Sequence, residues 1–156
     1  MKYCYNSLKD SNGYTIIELI VVLGIISILI IVSIKGLFTI KQNMDLNRVA
    51  HQLEATLKDC QSKAMYTGSY YKIEFHQNLN RYRIFKDFEI DRTIQLENII
   101  IHYVNFTDNR VGFNKMGVPS MGGTVTLKTK NGKKLYVIMT PVTARTRISD
   151  IPPENW

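Results

Sequence analysis

From Tyr14 to Ile34 the chain carries a single charge, Glu18, in the run YTIIELIVVLGIISILIIVSI. As a helix rising ~1.5 Å per residue, this stretch is about 31 Å long, close to the ~30 Å hydrocarbon core of a bilayer. A segment apolar all round cannot share a small soluble core, so it requires lipid or other apolar helices. A secretory signal peptide is the competing reading, but its apolar core is shorter and ends in a small-x-small cleavage site. Here Lys35-Gly36-Leu37-Phe38 follows, and a retained anchor is expected. Lys2 and Lys9 precede the span, Lys35, Lys41 and Arg48 follow it, and the count of basic residues leaves orientation undecided.

The helical pattern continues past the apolar run. Leu46, Val49, Leu53, Leu57, Cys60 and Ala64 recur at spacings of three and four, with Asn43, Asp45, Arg48, Lys58 and Asp59 between them. No proline interrupts residues 14–66, so one helix is predicted, first lipid-like and then amphipathic. After Gly68 the period changes. Tyr71, Ile73 and Phe75 alternate with Lys72, Glu74 and His76, the signature of a half-buried strand. Further strands are predicted over 80–86, 93–97, 99–106, 110–114, 123–130 and 133–142, with Asn131-Gly132 as a hairpin turn. The expected fold is α+β: a long N-terminal transmembrane-to-amphipathic helix packed on a small antiparallel β-sheet head. Its divisions are 1–13, 14–34, 35–66 and 67–156.

Enzyme signatures are missing. His51, His76 and His102 lack metal-ligand spacing, and no nucleophile elbow, Walker loop or dinucleotide fingerprint is present. No catalysis, cofactor or metal is expected. Cys4 and Cys60 fall on opposite sides of the span, which argues against a disulfide; Cys60 lies on the helix stripe as a small core residue. The net charge of +7 is weighted toward the C-terminal half, where Lys128, Lys130, Lys133, Lys134, Arg145 and Arg147 stand. Such a surface is either a solvated face or suited to an anionic partner.

Glu18 is the anomaly. A carboxylate at mid-membrane costs about 2.5–3.5 kcal/mol, and less near the edge. It either reaches up to the headgroups or has a cationic partner. Cleavage after Gly13 would create such a partner, a free amine on Tyr14, at similar depth in a staggered neighbour.

GYTIIELIVVLGIISILI resembles the class III signal of type IV prepilins and type II secretion pseudopilins, with Tyr14 where phenylalanine is usual and Asp10 diluting the basic leader. The resemblance implies a leader of residues 1–13, cut by prepilin peptidase between Gly13 and Tyr14. It further implies N-methylation of Tyr14 and subunit docking through Glu18. The leader would be cytoplasmic and the head extracytoplasmic, in a single-pass membrane protein that then joins a pilus or pseudopilus. Other pilin or pseudopilin subunits, the peptidase and an inner-membrane assembly platform would be its partners. The run VGFNKMGVPSMGGTVTLKTKNGKKLYVIMTPVTARTRI also resembles the C-terminal half of the GspH/FimT minor pseudopilins. Phe113 and Gly117 fit its Phe-x-x-x-Gly element. Ala144-Arg145-Thr146-Arg147 fits its closing Gly-Arg-x-Arg, with alanine for glycine. In some members of that group the arginine pair binds DNA during uptake. This gives an alternative reading in which Arg145 and Arg147, beside Lys128, Lys130, Lys133 and Lys134, hold DNA. An ordinary anchored protein with an accidental GYTIIEL is the remaining class.

Overall fold

The computed structural model describes residues 13–141 and 143–153. The leader up to residue 12, with Cys4, and the terminal Trp156 lie outside the described residues. The chain divides into two compact units, one ending at Phe38 and one beginning at Thr39; helix α1 (Ile16–Thr67) contributes to both.

In the first unit every described side chain from Tyr14 to Ile31 is exposed, as a sequence apolar on all sides dictates when no second element covers it. By length and composition this helix can cross a membrane.

The second unit is built on the amphipathic part of α1. Leu46, Val49, Ala50, Leu53, Leu57, Cys60 and Ala64 are all buried, one stripe down the helix. The helix stops at Gly68, whose left-handed backbone (φ +65°) lets its N–H reach the Ala64 carbonyl at 3.0 Å. The expected α+β architecture is present, with its strands shared between two four-stranded antiparallel sheets. Sheet 1 holds β1 (Tyr71–His76), β2 (Arg81–Lys86), β3 (Glu89–Gln95) and β5 (Arg110–Phe113), in the order β3-β2-β1-β5. Sheet 2 holds β4 (Ile99–Val104), β6 (Gly123–Thr129), β7 (Lys134–Met139) and β8 (Thr146–Ser149), in the order β4-β6-β7-β8. The inner faces of both sheets join the helix stripe in one core, where Phe75 stacks on Phe106 at 5.8 Å and meets Tyr82 at 6.1 Å.

Asn80 couples the two sheets. It sits in the left-handed region (φ +48°) after a 3₁₀ turn at Gln77–Leu79, a conformation asparagine tolerates better than most residues. Its side-chain amide donates to the carbonyls of Leu96 (2.9 Å) and Ile99 (2.6 Å), and its side-chain oxygen accepts the Ile101 N–H at 2.9 Å. The end of β1 is thereby tied to the start of β4.

The predicted hairpin joins β6 to β7, with Lys128 opposite Lys134 and Gly132 at φ +94° in the turn. Two strands depart from the sequence pattern. β3 begins at Glu89, ahead of the predicted 93, because it is an exposed edge strand with little burial to imprint an alternation. β8 was not among the predicted strands; four residues are too few to set a period.

Candidate assembly site and basic surface

Thr15 starts α1. Its side-chain hydroxyl accepts the Glu18 N–H at 3.3 Å and its carbonyl accepts the Leu19 N–H at 3.2 Å. Thr15-x-x-Glu18 is thus the first half of a capping box, and it places a carboxylate in the first turn, where the helix dipole favours negative charge. The Thr-x-x-Glu spacing is legible in the sequence, where Glu18 stood out as the one charge of the apolar run and not as part of a cap. Tyr14 is 86% exposed, Gly13 beside it is also exposed, and the Glu18 carboxylate has no hydrogen-bond or ion-pair partner among the described residues. Gly13, Tyr14 and Glu18 therefore lie within five residues of one another at the start of the helix, all accessible.

Residues 8–34 match the family model of the prokaryotic N-terminal methylation motif. The chain carries the N-terminal signature of type IV prepilin-like proteins. That motif belongs to a family of structural subunits, and the long apolar helix fits a membrane-anchored pilin. It implies processing by prepilin peptidase and assembly with other pilin subunits. No curated protein and no solved structure matches the chain.

The residues of the second sequence likeness have physical roles. Phe113 is wholly buried, and Gly117 (φ +73°) turns the following loop. A Cβ on Gly117 would press on Met65, and its carbonyl accepts the Gln61 amide of α1 at 3.1 Å. Ala144, at the place of the likeness's glycine, adopts φ +51° while buried, which explains why glycine suits that position.

Arg145 and Arg147 are exposed on either side of buried Thr146 and share one face, as residues two apart in extended backbone must. Neither makes an ion pair among the described residues. The basic residues do not form a single patch. Arg147 stands opposite Ile138, near one end of β7, while Lys134 begins the other end, four residues or about 13 Å along the strand. Lys128 and Lys134 are a facing pair, and Lys130 and Lys133 project from the turn. The His102 pKa is lowered, first by burial and then by the charges of Lys134 and Lys128. Among the described residues no three of His, Cys, Asp or Glu gather as a metal site would require.

Proposed function

We propose that this chain is a minor pilin or pseudopilin of the GspH/FimT kind, cut between Gly13 and Tyr14, methylated on Tyr14 and built into a type IV pilus or type II secretion pseudopilus. The observation that carries this reading is the methylation motif of residues 8–34 running into a helix with no buried side chain from Tyr14 to Ile31. Residues 14–34 are the span and filament core, 35–66 carry the head, and 67–156 form it on the extracytoplasmic side. The inner-membrane platform supplies subunits to the filament, and Glu18 docks each one by pairing with the Tyr14 amine of a neighbour.

The test is mass spectrometry of the N-terminus together with filament incorporation. Wild type is expected to begin at methylated Tyr14. Glu18→Ala is expected to be processed but left out of filaments, with the head folded. Glu18→Gln separates docking from capping, because glutamine serves a capping box as well as glutamate but carries no charge. Normal incorporation of Glu18→Gln would refute the ion pair.

The exposure of unpaired Arg145 and Arg147 on one face supports a second reading, a DNA-binding subunit of an uptake pilus. Such binding is salt-dependent and indifferent to sequence. Fluorescence anisotropy of duplex DNA with the detergent-solubilised chain at two salt concentrations, with and without Arg145→Ala/Arg147→Ala, decides it. Binding that survives the double substitution removes these arginines from the role.

A further inference from the structure

The head carries opposite charge at its two ends. The β2–β3 turn lies beyond Lys86, which faces Tyr71 at the start of β1. It is fastened beside the C-terminus of α1, since the Asp87 N–H donates to the Tyr70 carbonyl and the Asp87 carboxylate accepts the Tyr70 N–H at 3.0 Å. The turn presents Asp87, Glu89 and Asp91 around Phe88, which is 97% exposed, and Ile90, which is 53% exposed. Lys86 and Arg92 flank it, Arg92 pairing with Asp91 at 3.2 Å, and Glu89 is without an ion-pair partner among the described residues.

β1 then runs away from this turn for about 17 Å. At its far end Asn80 grips Ile99, and Ile99 faces Thr129, where the β6–β7 turn begins. That turn carries Lys128, Lys130, Lys133 and Lys134, none of them in an ion pair among the described residues. Lys128 and Lys134 stand directly opposite one another, an arrangement that destabilises a sheet. Glu97, two residues before Ile99, makes no ion pair with them among the described residues. Ile100, paired with Lys128, and Leu79 leave apolar surface at this end as well. A carboxylate-bearing apolar knob and an apolar-flanked cluster of lysines in mutual repulsion are thus complementary, and one chain holds both at opposite ends.

We infer that the β2–β3 knob of one head docks on the β6–β7 lysine end of a second copy of this chain. The contact is heterologous, so repeating it generates a line of subunits rather than a closed dimer. It rests on the filament reading above and adds the head surfaces to it. Carboxylates of the neighbour relieve the Lys128–Lys134 repulsion, and Phe88 and Ile90 cover Leu79 and Ile100. Asp87 holds its own turn and Asp91 is shared with Arg92 at 3.2 Å, which leaves Glu89 as the free charge of the knob and Asp91 as its partly engaged neighbour.

The experiment uses the full chain in the membranes of producing cells, with a photocrosslinking benzoylphenylalanine in place of Phe88. Irradiation is expected to give a covalent dimer whose crosslink maps to residues 128–134 of the second copy. Glu89→Lys/Asp91→Lys is expected to lower the dimer yield at least about tenfold, and Lys130→Glu/Lys133→Glu to do the same. A chain with all four substitutions regains the dimer, because the charges are exchanged. Failure to regain it overturns the contact, as does a crosslink only to a different protein. Loss of the dimer on nuclease treatment would assign the lysine end to nucleic acid and overturn it too. The N-terminus of the same samples is sequenced: an unprocessed Tyr14 refutes the filament reading, while the charge exchange still decides the contact.

Discussion

Asn80→Ala should be among the most damaging single substitutions in the head, although the residue is only half-buried. The side chain makes three hydrogen bonds, to Leu96, Ile99 and Ile101, at 2.9, 2.6 and 2.9 Å. At about 1 kcal/mol net each, their loss amounts to about 3 kcal/mol. Alanine also bears the left-handed backbone at Asn80 (φ +48°), which adds about 1 kcal/mol. The sum is about 4 kcal/mol, a fall in melting temperature of about 15 °C or more for a head of this size. Asn80→Gly loses the same bonds but not the backbone tolerance, so it should be less damaging by about 1 kcal/mol. Near-UV circular dichroism of the full chain in mild detergent, followed through thermal unfolding, reads the head without the apolar helix. An Asn80→Ala loss below about 1 kcal/mol, or a glycine variant no better than alanine, would show that the clasp does not couple the sheets.

Burial pushes the Cys60 thiol up to about 12, helped by the charge of Asp59, so in a Cys4→Ser background it should resist iodoacetamide at pH 8 until urea unfolds the head; alkylation of the folded chain at the rate of a free thiol contradicts this. The Glu54 carboxyl is held below its usual value chiefly by the hydrogen bond from Lys58 (2.7 Å), while at Asp59 hydrogen bonds from Lys63 and Arg92 outweigh the upward push of burial. Their folded pKa values are thus depressed, so the stability they add is full above their ordinary values of 4.5 and 3.8 and fades as pH falls through the lower folded values. The gap in urea midpoint between wild type and Glu54→Gln/Asp59→Asn should therefore be visible at pH 6, under about 1 kcal/mol per group, and close toward pH 3; a gap independent of pH refutes it. Ala144→Val should melt well below Ala144→Gly, by at least about 1.5 kcal/mol, because a β-branched side chain at φ +51° is strained where glycine is not; equal melting temperatures would deny the strain.

The parts legible in the sequence were those with a long, uniform period. The apolar run, the stripe from Leu46 to Ala64 and the alternation at Tyr71–Phe75 each bury a face that repeats, and each occupies the element expected of it. The separation into two sheets was not legible, because it is set by pairings between strands distant in sequence, β1 with β5 and β4 with β6, and the tie between the sheets runs through Asn80, whose partners lie 16 to 21 positions away. β6 hid its outer face as well: Thr124 and Thr126 are buried there, so burial does not alternate with polarity along the strand. At the N-terminus the motif was readable as a pattern and Thr15 explains the helix start, while the Glu18 carboxylate has no partner among the described residues. The basic residues were countable from sequence; their division into a lysine end and a separate arginine pair required the register of β6, β7 and β8.

The proposed role of Glu18 follows from asking which groups change environment between membrane and filament. Each exposed Ile, Leu or Val of the run is worth about 1.5–3 kcal/mol when removed from water, so together they far outweigh the ~2.5–3.5 kcal/mol that one carboxylate costs at mid-membrane. Glu18 cannot keep the helix out of lipid. Moving from lipid to a bundle of like helices is different, because lipid tails are as apolar as leucine and the same side chains gain little beyond closer packing. The capping bond from the Glu18 N–H to Thr15 is internal to one helix and the same in both states. The unpartnered carboxylate is the group that differs under the proposed docking: uncompensated or drawn toward headgroups in lipid, it would be paired with the Tyr14 amine in the filament. A term of a few kcal/mol carried by one residue, set against a nearly neutral background, is enough to decide which state the subunit occupies, and it is gained only after the leader has been removed.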